Sequence, residues 1–370
     1  MIYAVVFITS TLCAYFASYA KRRDGMIFFS VICILLPSIL GGLRQVGVGF
    51  DSWLYGLPHF LAASRSASFI DFLAADKRLY RELAWAALTY FSAKVFGSVN
   101  WSFFFHQLIT LTCIYIGIYK HRKIVSLPFA WLIFFLVMHG TTYNFIRQSI
   151  AASIVFAGFN NIEEKRYFRF LIYVLIGALF HTSAVIVLSY FVAVHMFTTW
   201  KTSHVWGKKL LLYTGLGLIA AIRPIMGFII DSSPLFSAYQ GYEDVVGSSI
   251  LEGSAIAGLE FGELLLCTVY AKGMKRVFAK GDMYKFYRYS LIFHLMYRLL
   301  VRVFAYRVLY FFDMVNVILL AALPRFVRGK TLRILIFMSV LFTVIMFFTA
   351  VFILKNGHQT FPYKAVINLF

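Results

Sequence analysis

The chain reads as an all-α polytopic membrane protein, and three observations carry that reading. Hydrophobic residues fill 61% of its 370 positions and charged ones only 14%, against roughly a quarter charged in soluble domains. Mean hydropathy is +0.79. Apolar runs recur from end to end, each about 15 to 23 residues long, enough to cross a hydrocarbon core of roughly 30 Å as a helix.

The elements follow in order. The run at 2–20 lacks a basic start and is followed by Lys-Arg-Arg-Asp, which marks a retained first span rather than a cleaved signal peptide. Further spans are expected at 27–43, 101–119, 125–140, 143–160, 167–181, 182–198, 209–222, 256–272, 287–303, 307–323 and 332–354. That makes about 12 in one transmembrane domain over 1–370. The net charge of +20 comes from short basic loops at 21–24, 120–123, 163–169, 201–209, 272–288 and 324–333. Placing these in the cytoplasm satisfies the positive-inside rule and removes any need for a nucleic-acid partner. Two long outer loops result, 44–100 and 223–255. Residues 79–97 would move a basic loop outside if they spanned, so they are expected as an amphipathic helix at the outer interface. The four cysteines lie singly inside apolar runs and read as small buried hydrophobes.

On this topology Arg44, Asp51, Arg147, Arg223, Arg302 and Arg307 fall at outer span ends, where the positive-inside rule disfavours cations. An arginine at membrane depth normally faces a bundle interior or wet cavity and has a partner. Arg298, Arg302 and Arg307 are crowded into ten residues of apolar sequence. Their neutralising partner is either a multiply charged anion or the nearby acids Asp313, Glu260 and Glu263. Guanidinium forks suit bidentate phosphate binding. Arg147 and Gln148 open a helix at the outer face, where the partial positive charge of the helix end also favours an anion. The following Ser149, Ala151, Ala152 and Ser153 permit close helix approach. His181 sits at the outer end of the sixth span and is a candidate general base, since histidine titrates near neutrality. No Walker loop, GxSxG, HExxH or metal-spaced Cys/His set is present, so no metal or nucleotide cofactor is expected.

The order of these elements resembles the EpsG/Wzy family of bacterial polysaccharide polymerases, over about residues 27 to 365. The matching stretches are Arg44 with "VGVGFDSWLY", "RELAWAAL", "IRQSIAASI", "GALFHTSAVIVL" and "AYRVLYFFD". The usual threonine before the aspartate is Phe50 here, and the usual tyrosine after it is Ser52.

The resemblance implies a GT-C-like glycosyltransferase at the periplasmic face of the inner membrane, working without a metal. It would polymerise oligosaccharide repeat units carried on undecaprenyl pyrophosphate. Membrane lipids surround it, and a chain-length regulator protein is an expected further partner. His181, Asp51 and Glu82 are then alternative catalytic bases. Arg44, Arg147, Arg298, Arg302 and Arg307 are the residues for pyrophosphate, helped by Tyr55, Gln148 and Tyr310. Trp53, Tyr55, Tyr80 and Trp85 offer surface for sugar rings. An O-antigen ligase shares donor and chemistry and is the nearest alternative. A lipid-linked oligosaccharide flippase should show internal repeats, and none is found.

Overall fold

The computed structural model describes residues 2–185, 187–188, 247–280, 283–300 and 305–366. The described chain is all-helical apart from turns and two isolated bridges. In order the helices are α1 (Ile2–Tyr19), α2 (Arg23–Gly42), α3 (Leu57–Arg65), α4 (Phe69–Ala75), α5 (Leu83–Phe91), α6 (Val99–Lys120), α7 (Leu127–Val137) and α8 (His139–Asn144). There follow α9 (Ile146–Ala157), α10 (Asn160–Glu163), α11 (Tyr167–Ala178), α12 (Gly247–Val269), α13 (Ala271–Val277), α14 (Met283–Leu300), α15 (Ala305–Ala322) and α16 (Lys330–Phe348).

Five stretches among the described residues are long and apolar enough to cross a membrane: Ile2–Tyr19, Arg23–Gly42, Val99–Lys120, Leu309–Phe326 and Lys330–Leu354. Their burial differs by role. Leu309–Phe326 is almost wholly enclosed by protein, whereas α1, α2 and α16 leave Val5, Ile8, Leu12, Phe28, Phe342 and Met346 outward. Apolar residues all round a helix, with only a third of the surface covered, are what a lipid-facing helix requires.

Three expectations change. The run at 143–160 is not one helix, because Phe145 leaves helical geometry (φ −86°, ψ 56°) and starts α9 afresh at Ile146. The runs near 125–140 and 167–181 appear as shorter apolar helices, Leu127–Val137 and Tyr167–Ala178, and 209–222 with most of 182–198 lies outside the described residues. Residues 44–100 form a folded cap that carries, besides the helix expected at 79–97, two further short helices at Leu57–Arg65 and Phe69–Ala75. Ser68 and Asp71 close a capping box on α4, and Pro58 stands in the first turn of α3, where its missing N–H costs nothing. The cap buries its own apolar cluster, with Phe60, Phe72, Leu79 and Trp85 against Phe103, Ile146 and Ile150 of α6 and α9. A helical element does occur near 79–97, built from a 3₁₀ turn (Leu79–Arg81), α5 and a π turn (Ser92–Phe96).

The glycine-rich turn after α2 is clamped by the C-terminal tail. Gln45 N–H donates to Lys364 O at 2.8 Å, Val366 N–H to Leu43 O at 2.8 Å and Gly49 N–H to Gln359 O at 3.1 Å. Asn100 Nδ2 donates to the carbonyls of Gly42 and Arg44 from the start of α6. Gly47 and Gly49 both take positive φ, 102° and 86°. At Gly49 a side chain is excluded twice over, since a Cβ there would lie 2.2 Å from Tyr143 O. Gly49→Val should therefore cost about 2 kcal/mol or more through backbone strain and displacement of α8. A lowered thermal unfolding midpoint in detergent checks this, and a midpoint equal to that of the native protein would show that the turn is not constrained.

Candidate functional site

The cap and the bundle meet where three helix ends converge. Glu82 is the residue before α5, Arg147 lies in the first turn of α9, and His181 follows the end of α11. Backbone bonds bring the first and last together. Ala84 N–H and Trp85 N–H, orphan donors of the first turn of α5, both reach Leu179 O, at 3.0 and 3.4 Å. Gly177 lets α11 close on α9, where a Cβ would stand 3.0 Å from Ala151 O. The small residues of α9 are all buried.

Glu82 is the hub. Arg147 Nη1 donates to its Oε2 at 2.6 Å, and His181 Nδ1 donates to its Oε1 at 2.7 Å. Side-chain exposure rises from 6% for Glu82 through 12% for Arg147 to 23% for His181. A carboxylate can only accept, so Nδ1 carries the imidazole proton and the lone pair of the neutral ring is on Nε2. Burial works to raise the Glu82 carboxyl, but the His181 hydrogen bond and the Arg147 charge outweigh it and hold it below the usual glutamate value.

Tyr55 completes the junction. Its ring lies 4.5 Å from the Arg147 guanidinium carbon and 6.0 Å from that of Arg78. It is carried there by the π turn Ser52–Gly56, which leaves the glycine-rich turn directly. Sequence reasoning overlooked the neighbouring group. Arg78 chelates Asp76, with Nε 3.1 Å from each oxygen and Nη2 3.0 Å from Oδ2. His59 Nε2 is 3.4 Å from Asp76 Oδ2. The charges of Asp76 and Arg78, two apart in sequence, were the available signal.

The other named residues are distributed as follows. Arg44 is fully buried between the rings of Phe103 and Tyr143, each 4.5 Å away, and donates through Nη1 to Tyr143 O. Asp51 is set by a different partner from the Glu82 group: its N–H donates to Asn144 Oδ1, and the Asn144 amide reaches His358 Nδ1 at 2.7 Å. Gln148 is buried beside Arg147 in α9, and Tyr310 shares a 2.9 Å hydrogen bond with Ser149. Arg298 meets Glu260 through two nitrogens at 3.0 and 3.2 Å and Asp313 at 2.6 Å, the carboxylate alternative that its sequence neighbours offered. Arg302, Arg223 and the side chain of Arg307 lie outside the described residues. Trp85 offers no surface to a sugar. It is fully buried, donates to His59 Nδ1 at 3.1 Å and stacks on His106.

The fold and this junction define a membrane-embedded, all-α protein with a recessed arginine–carboxylate–histidine group. A family model for the EpsG family matches residues 2–365, and the chain belongs to that family. Membership supports a polysaccharide polymerase in general terms. No curated protein and no solved structure matches the chain significantly.

The depressed Glu82 pKa gives a pH test with a definite sign. A carboxyl whose folded pKa is lowered contributes stability that is present above its ordinary value of 4.5 and is lost as pH falls through the folded value. The unfolding midpoint should drop as pH is taken below 4.5, and Glu82→Gln should flatten that drop. Equal slopes for both proteins would show that another group anchors the junction.

Proposed function

We propose that the protein joins oligosaccharide repeat units carried on undecaprenyl pyrophosphate, acting as a metal-independent, GT-C-like glycosyltransferase at the periplasmic face of the bacterial inner membrane. The observation that carries the proposal is the hydrogen-bonded Arg147–Glu82–His181 group, together with family membership over nearly the whole chain.

The geometry suits glycosyl transfer to a sugar hydroxyl. His181 Nε2 takes the proton of the acceptor hydroxyl as its oxygen attacks the anomeric carbon of the donor. The bond between that carbon and the pyrophosphate oxygen breaks, and its electron pair leaves with undecaprenyl pyrophosphate. Proton removal by a positioned base such as His181 is worth about 10²–10⁴-fold, and Glu82 keeps the imidazole in the tautomer that accepts and then stabilises the imidazolium. Of the three base candidates, His181 is the outermost of the bonded pair, and Glu82 is its orienting partner.

Negative charge develops on the leaving pyrophosphate. Arg147 gives one nitrogen to Glu82 and keeps the rest of its fork for phosphate oxygens. Arg302 and Arg307 are proposed to reach the same charge from their stretch of sequence. Arg44 and Arg298 act at one remove in this reading. Arg44 holds the turn that delivers Tyr55, and Arg298 ties α12, α14 and α15 together through Glu260 and Asp313.

Loss of a preorganised fork should cost about 10²–10³-fold in turnover. Arg147→Lys should show that loss at matched protein level, because a point charge cannot serve a carboxylate and a phosphate at once. Purified protein supplied with lipid-linked repeat units and scored for polymer ladders measures it. Native-level ladders from Arg147→Lys would defeat the proposal, and so would absence of ladders from the native protein under conditions that preserve its fold.

A further inference from the structure

Beside the Arg147 junction the cap encloses an open cleft of about 380 Å³, lined by Leu54, Tyr55, Pro58, His59, Ala62, Ala75, Asp76, Arg78 and Leu79. We propose that this cleft is a saccharide subsite that holds one or two uncharged sugar residues of the carried chain. The inference rests on the polymerase reading and specifies where the sugars next to the reacting bond are held.

Three features select an uncharged sugar over other ligands. The first is charge. The Asp76 carboxylate and the Arg78 guanidinium neutralise each other through three contacts of 3.0 to 3.1 Å. Trp85 Nε1–H donates to His59 Nδ1, so the His59 proton is on Nε2 and faces Asp76 in the neutral tautomer. Burial, followed by the Arg147 charge, pushes His59 below its ordinary range, opposing the pull of Asp76. A wall without net charge does not attract phosphate, which leaves the pyrophosphate to Arg147.

The second feature is the mixture of donors and acceptors. Arg78 is more than half exposed and Asp76 about a fifth, so N–H groups and carboxylate edges meet solvent side by side. Vicinal hydroxyls need that alternation, because each both donates and accepts. The third is the opposite wall. Tyr55 presents a ring, and Leu54, Pro58, Ala62 and Ala75 present apolar surface. Sugar rings pair C–H faces with such surface while their edges hydrogen-bond. A lipid tail would waste the polar wall, and a volume near the lower end of ligand pockets, roughly 300–1,000 Å³, suits one or two rings.

Position ties the cleft to the reaction. Tyr55 is shared, with its ring against Arg147 at 4.5 Å and toward Arg78 at 6.0 Å. A sugar in the cleft is therefore one aromatic ring away from the guanidinium proposed to hold the leaving group.

The test uses full-length protein in detergent and the carrier-free repeat unit, released by mild acid from the lipid-linked pool of the same cells. Saturation-transfer NMR reads its binding without any turnover. Ala75→Trp fills the cleft from its exposed side, and Asp76→Asn breaks the neutral wall. Each should weaken saccharide binding by about tenfold or more, equivalent to about 1.4 kcal/mol; inorganic pyrophosphate binding stays at the native level in Ala75→Trp, which leaves the charges untouched, and does not fall in Asp76→Asn, which uncovers the Arg78 charge. Unfolding midpoints confirm that the variants are folded, and Ala62→Trp replaces any that is not. Native-level saccharide binding in folded, filled variants would overturn the subsite, as would failure of the native protein to bind the saccharide at all. Either result leaves polymer ladders intact, whereas failure of the polymerase reading removes the ladders themselves.

Discussion

The contact on which the rest of the site depends is the bidentate use of one buried carboxylate. Glu82 gives one oxygen to Arg147 and the other to His181, and so joins residues 65 and 99 positions further along the chain. Such a group adds little net stability, because desolvating the ions offsets much of their attraction. Removing one partner is another matter: it strands a buried charge and typically costs about 3–5 kcal/mol. The arrangement therefore fixes geometry more than it stabilises the fold. The orphan amides at the start of α5, bonded to Leu179 O, hold the backbone of two of the three residues in register before their side chains meet.

A second constraint delivers the aromatic component. The turn at 44–49 has to reverse sharply beneath α8, which only positive φ at Gly47 and Gly49 permits. Residues 359–366 pair with it through Leu43, Gln45 and Gly49, so segments more than 300 positions apart make one structural element. Arg44 anchors it from inside, its guanidinium held between two rings, with Nε and Nη2 lacking a hydrogen-bond partner among the described residues. Leaving N–H groups of a buried arginine unsatisfied is costly.

Much of this was legible in the sequence, and the reasons are physical. Lipid imposes long apolar helices, and the hydropathy of the chain shows them. Charges stranded at span ends stand out against that background, which is how Arg147 and His181 were found. Pairing across the chain was not legible, since nothing in the spacing of Glu82, Arg147 and His181 says that one carboxylate serves both. Within 44–100 the helical character of 79–97 is legible, whereas the helices Leu57–Arg65 and Phe69–Ala75 are too short for periodicity to register; their caps and tertiary packing hold them instead. Arg298 shows the converse limit. Its acids are visible in the sequence, but it is the packing of α12, α14 and α15 that sets Glu260 and Asp313 within hydrogen-bond reach. His59 and Trp85 gave no signal at all, because their bond depends on how α3 and α5 pack.

The claim that Glu82 acts through His181 is tested most directly by a double-mutant cycle in polymer formation, with Glu82→Gln, His181→Ala and the double variant compared at matched protein level. Residues that work as one unit are strongly non-additive. The double variant should therefore be no slower than the worse of the two single variants. Multiplicative losses, with the double variant as slow as the product of the single effects, would mean that the carboxylate and the imidazole act independently and would contradict the account.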